Sequence, residues 1–399
     1  METAADPENQ NPLTPNGRPP KTRTAKLLLV FSSIGLGVLV FELLVRLLSP
    51  NMNLNVNWRY HPVLGWSQVP GAQYDYEPIP GKKIHVEFNS KGFRDVEHFL
   101  AKRSGTKRIV IIGDSFCESV QVNLEDTFFR RLEKMLNARS KYTWEVINLG
   151  VGDFGTTQEW IALESLGFSY SPDLVIHEIF PLNDICNNTL DLYTLCKSNN
   201  DGYRQYFEEA NGQLVLTSAE PFRNFMRRHL ISYDLMEAAL HQRNKQQESE
   251  DQRALRLQAL GFPRLDPLLY TYVSDEFQID AVKKGWRLTE LILSKIIYAC
   301  NQRGIPYLGV VAPFQATVNS PDWQSFTSGQ PLPRMTRDYP EHRLRNLFLR
   351  LSVPCITLHD VFERHPDLSL FLDGHFSEQG HTLAADAILQ QMIVSRWTE

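Results

Sequence analysis

A serine, and a histidine with a neighbouring acid, are the residues of this sequence whose types and settings could do chemistry together. Ser115 follows the apolar run at 109–112, and Asp373 stands two residues before His375, just ahead of a helix-like C-terminal segment. A serine hydroxyl attacks an acyl carbon only when a base takes its proton, and that base works best when a carboxylate orients it. Because these side chains lie far apart in the sequence, only a folded sheet can bring them together.

The elements that must position these residues alternate between strands and helices. Short apolar runs predict buried parallel strands, and amphipathic periods between them predict helices. The strands are predicted at 109–112, 144–148, 174–180, 305–311 and 355–358, and helices at 127–139, from 156, at 283–300, at 342–350 and after Ser377. Thr156 with Glu159 three residues later has the pattern of a capping box. Repeated βα units predict a three-layer α/β/α domain around a five-stranded parallel sheet.

Polar and glycine residues follow most of the predicted strands. Ser115 comes after the first strand, Asn148 and Gly152 after the second, Asn183 after the third and Asp360 after the fifth. In parallel sheets, ligands bind beyond the carboxyl ends of the strands, near the point where the strand order reverses. We therefore expect an active site at this edge of the sheet.

The same residues carry a resemblance to a known family. The chain resembles the SGNH hydrolases, the superfamily of GDSL esterases and lipases, and in particular their membrane-tethered bacterial members. The matching blocks are Gly113-Asp114-Ser115, the stretch 148–155, Asn183-Asp184, and the stretch 373–381. The resemblance extends over residues 105–395 apart from an insertion. It depends on the order of the blocks and on their positions at the ends of predicted strands. The resemblance implies a flavodoxin-like sheet.

The resemblance also implies a role for each motif residue. Ser115 would be the nucleophile, and His375 the general base that later protonates the leaving alkoxide. Asp373 would fix the tautomer of the histidine. The oxyanion hole would combine a backbone N–H from Ser115, a backbone N–H from Gly152 or Asp153, and the side-chain amide of Asn183.

Two positions depart from the family pattern. The glycine of the second block aligns with Asp153, one residue after Gly152, so a side chain stands where the family has none. In the last block the family separates acid and histidine by three residues, whereas Asp373 precedes His375 by two. This offset weakens the assignment of Asp373 as the third member. His381 is the rival base, but the period of the last helix places it inside that helix.

Three further residues near these motifs are better explained by structure than by chemistry. His177 lies within an apolar strand, as a core histidine with satisfied hydrogen bonds would. Asp114 is expected to serve as a structural hydrogen-bonding group, and Cys117 as a packing residue. None of the three is therefore assigned to catalysis.

An apolar stretch near the N-terminus indicates a membrane anchor. Residues 27–48 are almost wholly apolar apart from Glu42 and Arg46, which have the i, i+4 spacing of a helical ion pair. About 20 such residues span a bilayer as a helix. Basic residues precede the stretch, so the positive-inside rule predicts a cytoplasmic N-terminus and a domain outside the cytoplasmic membrane. A cleaved signal peptide is the alternative, but the stretch is long and no small-residue cleavage site follows.

Four regions follow from these observations. They are a disordered cytoplasmic tail at 1–26, a transmembrane helix at 27–48, a wrapping segment at 49–104, and a hydrolase-like domain at 105–399 with an insertion at about 186–281. The wrapping segment is rich in Trp, Tyr, Pro and Gly. Within the insertion, Asn211-Gly212 between two β-rich runs signals a hairpin, and 241–252 is a charged, glutamine-rich run.

The sequence therefore predicts a membrane-anchored serine esterase that uses no cofactor and no metal. Its substrate would be an acyl ester, with acetyl as the expected acyl group and a cell-envelope polysaccharide as a candidate carrier. A formal net charge of −5 argues against nucleic acid as the main partner. Two alternatives remain open: an O-acyltransferase that uses the same residues, and a catalytically silent glycan-binding or assembly module, in which His375 turns away from Ser115 or the cleft is filled.

Overall fold

Thirteen β-strands occur in the computed structural model, within the residues that it describes. Those residues are 23–48, 58–196, 204–218, 221–233, 236, 267–328 and 335–398. The strands are β1 (Trp58–His61), β2 (Gly65–Gln68), β3 (Gln73–Ile79), β4 (Lys82–Glu87), β5 (Thr106–Ile112), β6 (Thr143–Asn148), β7 (Leu174–Ile179), β8 (Gln205–Ala210), β9 (Gln213–Ser218), β10 (Tyr307–Val311), β11 (Cys355–Thr357), β12 (Phe371–Leu372) and β13 (His375–Phe376).

The α-helices of the described residues are numbered in the same way. They are α1 (Arg23–Leu48), α2 (Ser115–Glu118), α3 (Phe128–Asn137), α4 (Thr156–Ser165), α5 (Pro181–Asn187), α6 (Leu190–Cys196), α7 (Pro221–His229), α8 (Asp280–Gln302), α9 (Gln315–Val318), α10 (Ser320–Thr327), α11 (Tyr339–Arg350), α12 (Leu358–Phe362) and α13 (Glu378–Val394). Short 3₁₀ turns lie at Leu124–Asp126, Gly167–Tyr170, Pro267–Tyr272 and Asp275–Phe277.

The central sheet contains the five predicted strands, all parallel, in the order β11-β10-β7-β5-β6. Counted along the chain among these five, the order is 2-1-3-4-5, which is the flavodoxin-like order. The predicted fold class is therefore confirmed. The strand order reverses between β5 and β7, so the site is expected beyond the carboxyl ends of these two strands.

The core lies on both faces of the sheet because side chains along a strand point alternately to opposite sides. Val110 and Ile112 of β5 pack in one cluster with α4, α8 and α11. Ile109 and Ile111 of the same strand pack in a second cluster with α3 and α13. Burial on both faces favours apolar side chains along a strand, which explains the uninterrupted apolar run at 109–112 before Ser115.

The wrapping segment packs on the domain through two antiparallel hairpins, β1–β2 and β3–β4. Trp66 of β2 is only 3% exposed. Arg94 is buried, and its guanidinium donates to the backbone carbonyls of Glu118 and Val122 at 3.2 and 2.6 Å, and also to that of Ser119. The segment therefore holds the loop that follows Ser115 from outside the sheet.

Two local predictions have opposite outcomes. The hairpin in the insertion is confirmed: β8 and β9 are joined by Asn211 and Gly212, both with positive φ. The capping box at the start of α4 is wrong, because Gly155 is the N-cap residue and no side chain caps it. The Glu159 side chain is buried and bonds to His177, so it does not reach back to the start of the helix. The charged run 241–252 lies outside the described residues.

The N-terminal helix α1 contains a stretch, Ala25–Leu48, that is long and apolar enough to cross a membrane. It has 24 residues, and only 6% of its most apolar window is buried against the rest of the protein. The predicted ion pair is present, with Arg46 Nε 2.8 Å from a Glu42 carboxylate oxygen. The predicted tail lies outside the described residues up to position 22.

Candidate active site

Ser115 lies where β5 turns into the short helix α2. Asp114 caps this helix by accepting a hydrogen bond at 2.8 Å from the backbone N–H of Phe116. Gly113 is required because a Cβ there would lie 2.6 Å from both the Cys117 sulfur and a Glu178 carboxylate oxygen. The close approach of three chain segments therefore fixes the serine at the carboxyl end of the central strand.

Cys117 has the packing role that was expected of it. Its side chain lies against Gly113, and a Cβ added at Gly150 would lie 2.1 Å from its own Cβ. Burial raises the pKa of the Cys117 thiol well above its usual value. Because the thiolate is the nucleophilic form of cysteine, this thiol is unreactive.

His375 is positioned by a tight hairpin between β12 and β13. Leu372 pairs with His375, and the two residues between them, Asp373 and Gly374, have φ of 51° and 74°. Positive φ at both central residues is the signature of a type I′ turn, which favours an Asp-Gly pair. The turn places Nε2 of His375 2.8 Å from the Ser115 hydroxyl oxygen.

The Asp373 carboxylate does not take the position that the sequence led us to expect. Nδ1 of His375 lies 2.9 Å from the backbone carbonyl oxygen of Asp373. The Asp373 carboxylate instead accepts a hydrogen bond from the Tyr76 hydroxyl on β3. In this turn, with positive φ at Asp373 and Gly374, the backbone carbonyl of Asp373 lies beside the His375 ring and the carboxylate lies at Tyr76. A carbonyl at Nδ1 fixes the tautomer but contributes no full negative charge.

Asn183 lies beside the serine at the carboxyl end of β7, in the first turn of α5. Its amide nitrogen donates to the second carboxylate oxygen of Asp114 at 2.6 Å. Burial raises the pKa of Asp114. An amide nitrogen carries two protons, so this bond orients the group and leaves its other proton as the candidate donor to an oxyanion.

In the second block, the two candidate backbone donors have different surroundings. The Gly152 N–H donates to the Glu118 carboxylate at 2.5 Å, so it is directed to that side chain. Asp153 takes the aligned glycine position with φ of 67°. Few residues other than glycine adopt this conformation, but aspartate is among those that do. Asp153 is therefore the better candidate of the two.

Arg204 from the insertion holds Asp153 in that conformation. Its guanidinium lies 2.8 Å from the Asp153 carboxylate and also donates to the Asp153 carbonyl at 2.5 Å. It is stacked between two aromatic rings, 4.6 Å from the centroid of Trp66 and 4.3 Å from that of Tyr193. The Trp66 indole N–H donates to the Gly152 carbonyl at 3.1 Å. Side chains of the wrapping segment and of the insertion therefore both hold the loop of the second block, 148–155, in place.

Glu118, three residues after Ser115, links the wrapping segment to the same loop. Its carboxylate accepts from the Gln68 side chain and from the Gly152 N–H. Burial raises its pKa to about 7, while these two hydrogen bonds oppose the shift. Glu118, Gln68 and Arg204 were not predicted from the sequence. Of the three, Glu118 alone has a sequence signal, since it is an acid one helical turn after the serine.

The two remaining histidines of interest have the structural positions that were expected. His177 bonds the Tyr307 hydroxyl at 2.8 Å and a Glu159 carboxyl oxygen at 2.7 Å. His381 lies within α13, and its Nδ1 accepts a hydrogen bond at 3.1 Å from the backbone N–H of Phe128. Burial lowers the pKa of each histidine to about 3. Both are neutral packing residues.

Within the described ranges, no group of three or more His, Cys, Asp or Glu side chains is arranged to hold a metal ion. A cavity of about 400 Å³ lies beside the β12–β13 hairpin. Arg337, Asp322 and Phe371 are among its lining residues. It borders the hairpin that carries His375 but does not contain Ser115.

No family model and no curated protein matches the sequence significantly. Several solved structures align with 71–73% of the chain. A lipase/acylhydrolase from Enterococcus faecalis aligns at 13% identity and a TM-score of 0.36, over 72% of this chain and 95% of that one. An acetylxylan esterase from Geobacillus stearothermophilus aligns at 10% identity and 0.37, over 72% and 94%. A psychrotrophic esterase from Pseudoalteromonas aligns at 10% and 0.35, over 73% and 98%.

At these identities and scores, the comparisons concern chain topology alone. The features of the chain itself are more specific. Its parallel sheet has the flavodoxin-like order, and its motifs follow successive strand ends. The pair formed by Ser115 and His375 lies at the point where the strand order reverses. On these features, the chain is a three-layer α/β/α protein with a candidate Ser–His pair at the switch point of its sheet.

Proposed function

We propose that the protein is a serine ester hydrolase of the SGNH type. The observation that carries this proposal is the 2.8 Å contact between the Ser115 hydroxyl and Nε2 of His375. A nucleophile and a base within hydrogen-bond reach are the minimum arrangement for covalent catalysis by serine. The silent-module alternative expected either that His375 turns away from Ser115 or that the cleft is filled, and this contact speaks against the first of these.

The reaction follows from the positions of these two residues. The Ser115 oxygen attacks the acyl carbon while its proton passes to Nε2 of His375. The tetrahedral intermediate collapses when the imidazolium returns that proton to the leaving alkoxide, and an acyl-serine remains. Water then attacks the acyl-serine with His375 again as the base, which releases the acid and restores the serine.

The negative charge of the intermediate requires donors that are already in place. We assign this role to the backbone N–H groups of Ser115 and Asp153 and to the second amide proton of Asn183. The bond from Asn183 to Asp114 and the contacts of Asp153 with Arg204 hold two of these groups in advance. Donors that need no reorganisation during the reaction give the largest electrostatic stabilisation.

The carboxylate of Asp373 is expected to contribute little to the rate. Nδ1 of His375 is held by the backbone carbonyl of residue 373, which any residue supplies. Asparagine tolerates positive φ, so Asp373→Asn should keep the turn and the carbonyl. We predict a change in kcat/KM of less than about fivefold on p-nitrophenyl acetate, because the substitution alters no group that contacts the imidazole.

Tyr76→Phe serves as the matched control for this prediction. It removes the hydrogen bond to the Asp373 carboxylate and leaves the backbone of the turn unchanged. Both variants should therefore have similar kinetics. A loss of about 100-fold or more for Asp373→Asn, with Tyr76→Phe near the wild type, would show that the carboxylate orients or charges the histidine during turnover.

We further propose that α1 anchors the enzyme outside the cytoplasmic membrane, where a cell-envelope polysaccharide carries the ester. The apolar surface of α1 and the basic residues before it support the anchor. Asp373 and Gly374 at the rim of the site are exposed, and His375 is half-buried. A rim of this kind admits an acyl group that is attached to a much larger molecule.

The anchor makes a direct prediction about topology. We expect the protein to remain in the membrane fraction through an alkaline carbonate wash, because an apolar helix of this length is held by the bilayer core. An alkaline phosphatase reporter fused after Glu399 should be active, since that enzyme folds only on the outer side. Recovery of a shortened, soluble chain would instead identify the apolar stretch as a cleaved signal peptide.

Labelling with a fluorophosphonate probe tests the proposed function without knowledge of the substrate. The wild type should be labelled, and Ser115→Ala should not, because the probe reacts only with an activated serine. If the wild type is folded and takes no label, the hydrolase proposal fails. If it is labelled but hydrolyses esters slowly, and a sugar acceptor accelerates acyl release, the O-acyltransferase is the better assignment.

A further inference from the structure

Glu42 is a buried carboxylate on α1, a helix whose apolar side chains are largely exposed. Only 5% of Glu42 is exposed. Its carboxylate accepts hydrogen bonds from the backbone N–H of Ile231 at 2.8 Å, from that of Ser232 at 3.0 Å and from the Ser232 hydroxyl at 2.7 Å. A carboxylate within a membrane helix is costly unless it is paired. Here it is paired with the chain that directly follows α7.

A second contact joins the same two elements. Arg46 donates to the backbone carbonyl of His229, the last residue of α7, at 3.1 Å. Arg46 lies in the last turn of α1. At 1.5 Å per residue, the 24-residue stretch Ala25–Leu48 is roughly 36 Å long, somewhat more than the hydrocarbon core of a bilayer. The contacts therefore hold α7 at the level where α1 leaves the hydrocarbon core.

The composition of α7 suits that level. Phe222 and Phe225 are 72% and 58% exposed, and with Met226 they have the i, i+3, i+4 spacing of one helix face. The remaining residues of the helix include three arginines, at positions 223, 227 and 228, and no acidic residue. Exposed aromatic residues beside each other on a helix face indicate an interaction surface. Arginine-rich amphipathic helices are typical of the boundary between headgroups and acyl chains.

We propose that α7 is an interfacial helix that lies in the membrane surface beside α1. Its face formed by Phe222, Phe225 and Met226 contacts the acyl chains, and the basic composition of the helix favours a membrane surface with anionic headgroups. The inference rests on the proposed membrane anchor and is independent of the proposed catalysis. The domain would then have two attachments to the bilayer, one through α1 and one through the insertion, which together restrict its orientation above the membrane.

Lipid quenching in the full-length protein tests this inference. The protein is reconstituted in nanodiscs made from an equimolar mixture of phosphatidylcholine and phosphatidylglycerol, with and without doxyl-labelled lipid. A genetically encoded fluorescent amino acid replaces Phe222, or Phe225 in a second variant. The control replaces Leu349 of α11, which is 68% exposed and lies on a different helix of the domain.

We expect doxyl lipid to quench the label at 222 and 225 at least about threefold more than the label at 349. The difference should shrink in nanodiscs of phosphatidylcholine alone, because a basic helix is attracted less strongly to a membrane surface without anionic headgroups. Equal, weak quenching at all three positions, in protein that stays in the membrane through a carbonate wash, would overturn the inference and indicate a protein partner for α7.

Loss of the protein from the membrane during that wash would overturn both the anchor and the inference, since α1 is what holds α7 at the bilayer. Neither readout depends on turnover. An inactive enzyme with strongly quenched α7 labels would therefore leave the inference standing while the proposed function fails.

Discussion

Ser115→Ala and His375→Ala are each expected to reduce kcat on p-nitrophenyl acetate by about 10⁴-fold or more, to near the background rate. The two side chains are 2.8 Å apart and act in one proton transfer, so neither retains its function without the other. For the same reason the double variant should be no slower than either single variant. The measurement is steady-state kinetics on purified, folded full-length protein in detergent.

His381→Ala is the control that separates chemistry from packing. The His381 ring accepts a hydrogen bond from the Phe128 N–H and stacks on the Phe128 ring, and it has no contact with Ser115 among those described. We expect this variant to unfold at a lower temperature and to keep kcat within about tenfold of the wild type. If His381→Ala lost as much activity as His375→Ala while still folded, the assignment of the base would be wrong.

Asn183→Ala is expected to lower kcat by about 10²–10³-fold, as the loss of one oxyanion donor does. The substrate should bind nearly as well, because the donor acts on charge that develops only in the transition state. Fluorophosphonate labelling should persist at a reduced rate, since Ser115 and His375 keep their contact. Separate measurement of kcat and KM distinguishes this outcome from a general loss of binding.

Asp114→Asn is the matched control for Asn183. The Asn183 amide also holds Asp114, which caps α2, so its removal could act through the position of the serine. An asparagine at 114 keeps a side-chain oxygen for the cap, but its NH2 group then faces the Asn183 amide, so the bond between the two residues is lost while the amide itself remains. Because this variant removes the bond and keeps the amide, we expect Asp114→Asn to cost less in kcat than Asn183→Ala. An equal or greater cost would mean that loss of this bond, rather than loss of an oxyanion donor, accounts for the effect of Asn183→Ala.

The strands and helices of the domain were predictable because they depend on local patterns. Burial on both faces favours apolar side chains along a strand, and a surface helix repeats its apolar residues every three or four positions. The run before Ser115 has this character and became the central strand β5, whereas β7, before Asn183, carries His177 and Glu178 within an otherwise apolar run. The Asn211-Gly212 turn was predictable for a related reason, since positive φ restricts the residues that can occupy it.

The proximity of Ser115 and His375 was also predictable, because parallel strands and the segments after them meet at one edge of the sheet. Which atom of residue 373 contacts the histidine was not predictable. The presence of an acid two residues before His375 suggested its carboxylate, whereas the turn presents its carbonyl. Backbone geometry over two residues decided between these atoms, and residue type alone does not report it.

Tertiary structure alone determined which side chains hold the loop 148–155 in place. Arg204, Trp66 and Glu118 come from the insertion, the wrapping segment and the turn after the nucleophile, and they meet around Gly152 and Asp153. None of them belongs to a periodic pattern, because each is placed by contacts between segments distant in sequence. Burial periodicity is a property of one segment, so the sequence by itself determined the strands, the helices and the order of the motifs. The partners of a buried polar group depend on how segments pack, so only the folded chain decided what holds the candidate site in place.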